Sequence, residues 1–165
     1  MATLHFICGK MASGKTTLAR RLAQQHDAAL FCEDEWLTLI EAPIANFAEF
    51  VVHSRRLRAA LAPHAVELLR LGTSVVFDFA GNTPKERAWV RSLFERVSAD
   101  HVLHVIDRAD DDCKRQLRLR NETKPEGLYY ALGTEAEFDA VTRYFVPPSD
   151  AERFNVIRYG SGASP

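Results

Sequence analysis

The sequence predicts an α/β sandwich, a parallel sheet covered on both faces by helices. Two observations carry the prediction. Short, almost continuously apolar runs alternate with segments of helical periodicity along the 165 residues, as strands buried on both faces should. A glycine motif at 9–16 then lies between the first such run and the first helical segment, where a ligand loop belongs. A chain of this length can bury one core but not two comfortable ones, so residues 1–160 are expected to form one domain and 161–165 a frayed tail.

The elements follow in order. Leu4 to Cys8 is an apolar run ended by Gly9, a buried strand. Residues 15–26 are rich in Ala and Arg and place Leu18, Leu22 and Gln25 on one helical face. Ala29–Cys32 is a second short strand, followed by an acidic cluster and a short helix beginning near Trp36. From Asn46 to Leu61 the positions Phe47, Phe50, Val51, Leu57 and Leu61 repeat at helical spacing. Pro63 is expected to interrupt or kink that helix, and Gly72 to end it. Ser74–Phe79 is a β-branched, apolar strand bearing one aspartate. Thr83 and Pro84 open the next helix as N-cap and first-turn proline, and it runs through Phe94 and Val97. Val102–Ile106 is the fourth strand, a charged helix spans about 110–120, another helix 135–144, and Phe154–Tyr159 is the last strand. A Pro/Gly-bearing loop at 124–127 would let the segment 110–127 close as a lid.

Composition excludes several classes of function. The chain is 47% hydrophobic and 26% charged, and 21 basic against 22 acidic residues leave a formal charge of −1. No global field therefore draws it to nucleic acid or membrane, and an anionic ligand must be held by local donors. No apolar run is long enough to span a bilayer, and Met1-Ala2-Thr3 lacks the basic flank of a secretion signal, so a cytoplasmic protein is expected. Cys8, Cys32 and Cys113 are odd in number and show no CxxC spacing, which fits free thiols in a reducing compartment. His101 and His104 point to opposite faces of their strand and suggest no metal site.

Gly9-Lys10-Met11-Ala12-Ser13-Gly14-Lys15-Thr16 matches GxxxxGK[ST] in full, after a strand and before a helix. Gly9 and Gly14 are expected to take positive φ and let the backbone approach a phosphate. The amides of Met11, Ala12, Ser13, Gly14, Lys15, Thr16 and Thr17 then converge on the anion at the positive end of the helix. Lys15 is expected on the β- and γ-phosphates of ATP and the Thr16 hydroxyl on Mg²⁺. The alternative is a Gly/Ser turn with an exposed lysine. The string Asn121-Glu122-Thr123-Lys124 lacks the order of a guanine motif, and the chain is too short for a ring-forming ATPase with its extra lid domain. A compact, kinase-like nucleotide site remains.

In such a sheet the ligand lies beyond the carboxyl ends of the strands, where Asp34 and Asp78 fall. Asp34 is the candidate general base, or the cap of the following helix; Asp78 is a metal-shell or substrate-anchoring acid. Glu33 and Glu35 read as solvated neighbours. Arg115, Arg118 and Arg120 are candidate nucleotide contacts although they cannot share one helical face, and Arg120, next to Asn121, is the best placed. Trp36, Asn82 and Arg87 are candidates for the acceptor side, whereas Arg55, Arg56 and Arg58 read as surface.

Together the blocks GKMASGKTT, EDEW, VVFDFAGNTPKER, LRLRNETKPEG and FDAVTRYFVPPSDAERFNV resemble the small P-loop kinase-like proteins often labelled "AAA family ATPase". These are relatives of chloramphenicol phosphotransferase, the polynucleotide 5′-hydroxyl kinases and the zeta-toxin kinases. The resemblance implies the P-loop NTPase three-layer αβα sandwich, with five parallel strands in the order 2-3-1-4-5. It also implies Asp34 as the acceptor-activating aspartate, Arg120 as a lid arginine and 147–155 near the adenine. The expected activity is ATP- and Mg²⁺-dependent phosphoryl transfer to a small-molecule hydroxyl by a monomer or homodimer. An acidic mouth bearing Trp36 is unlike the basic groove that nucleic acid requires, so no nucleic-acid partner is expected. Alternatives are a nucleotide-binding switch with no acceptor and a nucleoside or polynucleotide 5′-hydroxyl kinase.

Overall fold

A computed structural model describes residues 1–123 and 133–160, so the expected loop at 124–127 and the tail at 161–165 lie outside the described residues. Five parallel strands, β1 (Thr3–Cys8), β2 (Ala29–Cys32), β3 (Val75–Ala80), β4 (Asp100–Ile106) and β5 (Val156–Tyr159), form one sheet in the order 2-3-1-4-5. Parallel neighbours need crossovers, supplied by α1 (Lys15–Gln25), α2 (Glu33–Leu39) with α3 (Phe47–Arg70), α4 (Pro84–Glu95), and α5 (Asp110–Thr123) with α6 (Glu135–Thr142). This is the three-layer P-loop NTPase sandwich.

Side-chain alternation along the strands divides the core in two. Leu4, Phe6, Phe77, Phe79 and Leu103 face α3 and α4, meeting Leu57, Leu61, Leu69, Val90 and Leu93. Ile7, Val76 and Ile106 face α1, meeting Leu18, Ala19 and Leu22. His101 stacks on Phe94 on the first side, whereas His104 bonds His5 and Tyr159 on the second, opposite faces as expected. A third cluster, Cys113, Leu117 and Phe138, seats α5 and α6 against Met11 and Ala12 of the glycine loop. All three cysteines are buried and free; with β3 between β1 and β2, Cys8 and Cys32 are two strands apart.

Local chemistry accounts for the helix ends. Asn46 caps α3 by accepting from the Glu49 amide, and Thr83 and Thr134 form capping boxes with Glu86 and Glu137. Gly72, at φ +88°, closes α3 with the amides of Gly72 and Thr73 donating to Leu69 and Leu68. Three expectations are corrected. Pro63 does not interrupt α3, which runs unbroken over 24 residues because Leu57, Leu61, Ala65 and Leu69 stay in one buried stripe. The short helix begins at Glu33 rather than near Trp36, so Glu33, Asp34 and Glu35 are its first turn, where negative charge suits the dipole. A 3₁₀ turn at Asp150–Glu152 precedes β5, which starts at Val156.

One irregularity bears on the site. Between β1 and β3 the register passes from Phe6↔Phe77 to Ile7↔Ala80, so Asp78 and Phe79 have no β1 counterpart at that step. Such bulges re-aim side chains beside active sites.

Candidate active site

A cleft of about 400 Å³ opens beyond the carboxyl ends of β1, β2 and β3. Its floor is the glycine loop and the first turn of α1, contributing Met11, Ala12, Gly14, Lys15, Thr16 and Thr17. Glu33 and Asp34 line one side with Phe47 and Phe50; Asp78, Ala80 and Asn82 come from the end of β3 and the turn beyond it. Gln116, Leu119, Arg120 and Thr123 form the opposite wall, spaced i, i+3, i+4, i+7 along α5, with Val141 of α6.

The loop is built to leave donors over. Gly14 takes φ 102° and the neighbouring Ala12 φ 55°, so two left-handed residues turn the chain into α1. Gly9 does not take positive φ; what it needs is room, since a Cβ there would lie 2.6 Å from Ser13 Oγ. Its amide donates to Asn82 Oδ1 at 2.9 Å, tying β1 to the β3 turn. The first α1 hydrogen bond is Leu18 to Gly14, and the helix start has neither a side-chain cap nor an acid in its first turn. The Lys15, Thr16 and Thr17 amides are therefore left for an anion. Lys15 Nζ meanwhile donates to the carbonyls of Gly9 (2.9 Å) and Lys10 (2.8 Å). Ser13 departs from its expected role. Its amide closes the loop turn onto Lys10 O at 3.2 Å, and its hydroxyl is buried away from the cleft with no hydrogen-bond partner.

Asp78 is buried beside the Thr16 hydroxyl, which bonds to it, and accepts from Cys32 Sγ at 3.3 Å, because β2 pairs Cys32 with Asp78. Burial raises the Asp78 carboxyl, opposed by Thr16 and Lys15, and lowers the Lys15 ammonium, opposed by Asp78 and Asp34. Asp34 is pushed up to about 6 by burial first, then by the Asp78 and Glu33 charges, with Lys15 and Arg120 pulling the other way. Thr16 and Asp78 thus set two hard oxygen donors side by side, the kind Mg²⁺ takes when it keeps waters and substrate phosphates as its other ligands. Among the described residues no group of three His, Cys, Asp or Glu could hold a metal by itself.

Several candidates move out of the site. Arg87 is fully buried behind it: Nε and Nη2 hold the Glu152 carboxylate at 2.7 and 2.9 Å, and Nη1 donates to the carbonyls of Gly81 (3.0 Å) and Val146 (2.9 Å). Trp36 does not line the cleft, because two residues after Asp34 on a helix is about 200° around the axis. Arg115 and Arg118 are exposed on the outer side of α5, paired with Asp112 and Glu135; of the three arginines, Arg120 faces the cleft. None of residues 147–155 lines it.

Two residues read as solvent-facing are structural. Glu33 is buried, accepting from Ser54 Oγ and, at 3.0 and 3.3 Å, from Arg58, whose guanidinium lies over Phe79 and Trp89. The sequence signal existed: Ser54 and Arg58 fall within the apolar stripe of Leu57 and Leu61. The α5 wall had one too, in the 116/119/120/123 spacing.

A family model for an AAA domain matches residues 4–148. The chain belongs to that family. Its fold is shared with solved structures: a kinase candidate from Chloroflexus aurantiacus J-10-fl (15% identity, TM-score 0.76, 96% of this chain and 85% of that one); Chaetomium thermophilum Kti12 in complex with ADP-AlF3 (16%, 0.71, 95% and 88%); and Mycobacterium tuberculosis APS kinase in complex with AMPPNP and APS (17%, 0.62, 99% and 90%). No curated protein matches. Among the described residues no helix of this AAA-domain chain is long and apolar enough to cross a membrane.

Proposed function

We propose that this AAA-domain protein is an ATP-dependent phosphotransferase acting on a hydroxyl of a small molecule. The carrying observation is that one cleft joins an uncapped, lysine-bearing phosphate loop to a carboxylate, Asp34, whose pKa of about 6 suits a general base. The kinases and nucleotide complexes among its structural neighbours support the reading.

The α1 amides and Lys15 would hold the triphosphate, and Arg120 would offset charge on the transferring group. Thr16 and Asp78 would hold Mg²⁺, which when bound neutralises the phosphate oxygens. Asp34 accepts the acceptor's hydroxyl proton as its oxygen bonds the γ-phosphorus. The bond from that phosphorus to the β–γ bridging oxygen breaks, and ADP leaves with the electron pair. Glu33, pinned by Ser54 and Arg58, holds the first turn of α2 and so the position of Asp34.

The test pairs calorimetric titration of MgADP with a screen of hydroxylated metabolites for ATP-dependent phosphorylation. Asp34→Asn should keep nucleotide affinity within a few-fold and abolish transfer. Transfer that survives Asp34→Asn, or wild-type ADP release that no acceptor raises above background, would refute the proposal.

A further inference from the structure

We propose that the acceptor is an alcohol with an aromatic or apolar face and no anionic group; this rests on the phosphotransferase reading above. The cleft has two chemically distinct ends. At one are the loop amides and Lys15; Lys15 and, on the α5 wall, Arg120 are among the described residues its only lining cations. At the other, the first turns of α3 present Phe47 and Phe50, their rings stacked at 6.2 Å and 19°, with Leu119 and Val141 also in the lining.

Phe50 packs against the main core, but Phe47 is not simply spilled core. Phe47 is 39% exposed and outside the core clusters, and Leu119 is 50% exposed, so the cleft holds open apolar surface that an occupant would cover. The face is pre-set. Phe47, Phe50 and Ser54 follow at i, i+3 and i+7 on α3, and Ser54 is bonded to Glu33 beside Asp34, which directs that face to the acid end. The start of α3 is locked by Asn46 capping Glu49 and by Glu49 Oε2 accepting from the Ala45 amide at 2.7 Å.

Charge decides the rest. Two carboxylates, Glu33 and Asp34, stand at this end, and the nearby cation Arg58 is already shared between Glu33 and, at 3.6 Å, Glu86. The triphosphate tail claims Lys15 and Arg120. An acceptor bringing its own carboxylate or phosphate would face Glu33 and Asp34 with no cation left among the described lining residues to meet it, whereas a neutral or protonated-amine compound is tolerated or favoured.

Three matched probes isolate this on the full chain saturated with MgADP: benzyl alcohol, 4-(hydroxymethyl)benzylamine and 4-(hydroxymethyl)benzoate, titrated by saturation-transfer NMR. The benzoate should bind at least about tenfold more weakly than the amine. Phe47→Ala should weaken benzyl alcohol by about fivefold or more, with MgADP affinity and melting temperature unchanged; Phe50→Leu is the milder companion. Equal or preferred benzoate binding, no binding by any probe, or Phe47→Ala weakening MgADP instead (rings that seat the adenine) would each overturn the inference. Phosphorylation is read separately as a mass gain on incubation with MgATP. Transfer to the benzoate as fast as to the amine refutes the acceptor class and leaves the kinase reading standing. The predicted binding order without transfer to any hydroxyl refutes the kinase reading.

Discussion

Replacing Arg87 by Met separates a structural arginine from a substrate-binding one. The guanidinium is fully buried and makes two charge-assisted bonds to Glu152 and two bonds to the carbonyls of Gly81 and Val146. It thereby staples the turn after β3, the segment before β5 and α4. Methionine fills similar space but leaves the Glu152 carboxylate with only the Ser149 amide, at 3.0 Å, and removes the Arg87 donor from two carbonyls. Breaking a buried pair by removing one partner costs about 3–5 kcal/mol. Glu152 keeps 21% side-chain exposure and can regain water, which places the cost at about 3 kcal/mol. At about 2–4 °C per kcal/mol for a chain of this size, the melting temperature should fall by about 6–12 °C. Arg87→Lys, a point charge that cannot bridge all three partners, should fall between. The bond to Arg87 holds the Glu152 carboxyl below the ordinary range. Stability from the pair is therefore complete above the unfolded Glu value of about 4.3 and drains away as pH falls through the lower folded value. Arg87→Met should lose that acid limb. Thermal melts across pH 3–8, with MgADP titrated well below the variant's melting temperature, make the measurement. A shift under about 2 °C with nucleotide or acceptor binding lost would refute the structural assignment and return Arg87 to the site.

Asp34 carries the opposite linkage. Its folded pKa, about 6, lies above the ordinary 3.8, so stability present at low pH is lost as pH rises through about 6. Asp34→Asn should stabilise the unliganded protein at pH 7, by up to about 3 kcal/mol, while abolishing transfer; wild-type turnover should climb with pH through about 6, and a flat profile between pH 5 and 7 would exclude Asp34 as base. Gly9→Ala drives a Cβ to 2.6 Å from Ser13 Oγ and 3.3 Å from Ile106 Cβ. It should cost about 1–3 kcal/mol in urea unfolding, mostly recovered by adding Ser13→Ala, while Ser13→Ala alone, which deletes an unpartnered buried hydroxyl, should be neutral or stabilising.

The phosphate loop, the strand succession and the helix caps were legible because each is decided within a few residues: a glycine that must turn or clear a neighbour, a threonine that must cap, an apolar run long enough for one strand. Asp34 and Asp78 were legible for a related reason, since parallel topology sends every strand end to one edge of the sheet. The partners of the long charged side chains were not. Arg87 meets Glu152 across 65 residues and Arg58 meets Glu33 across 25, and their neighbours in sequence say nothing of that. Trp36 and Asp34 stand two apart in the chain yet on opposite sides of α2, because that helix starts three residues earlier than expected. The amino-acid order alone thus determined the backbone's course and the phosphate-binding loop, through local sterics and hydrogen bonding. Which charges meet a ligand and which meet each other was decided only by the packing of α3, α4 and α5, since burying an ionised group is tolerable only where the fold brings its counterpart within reach.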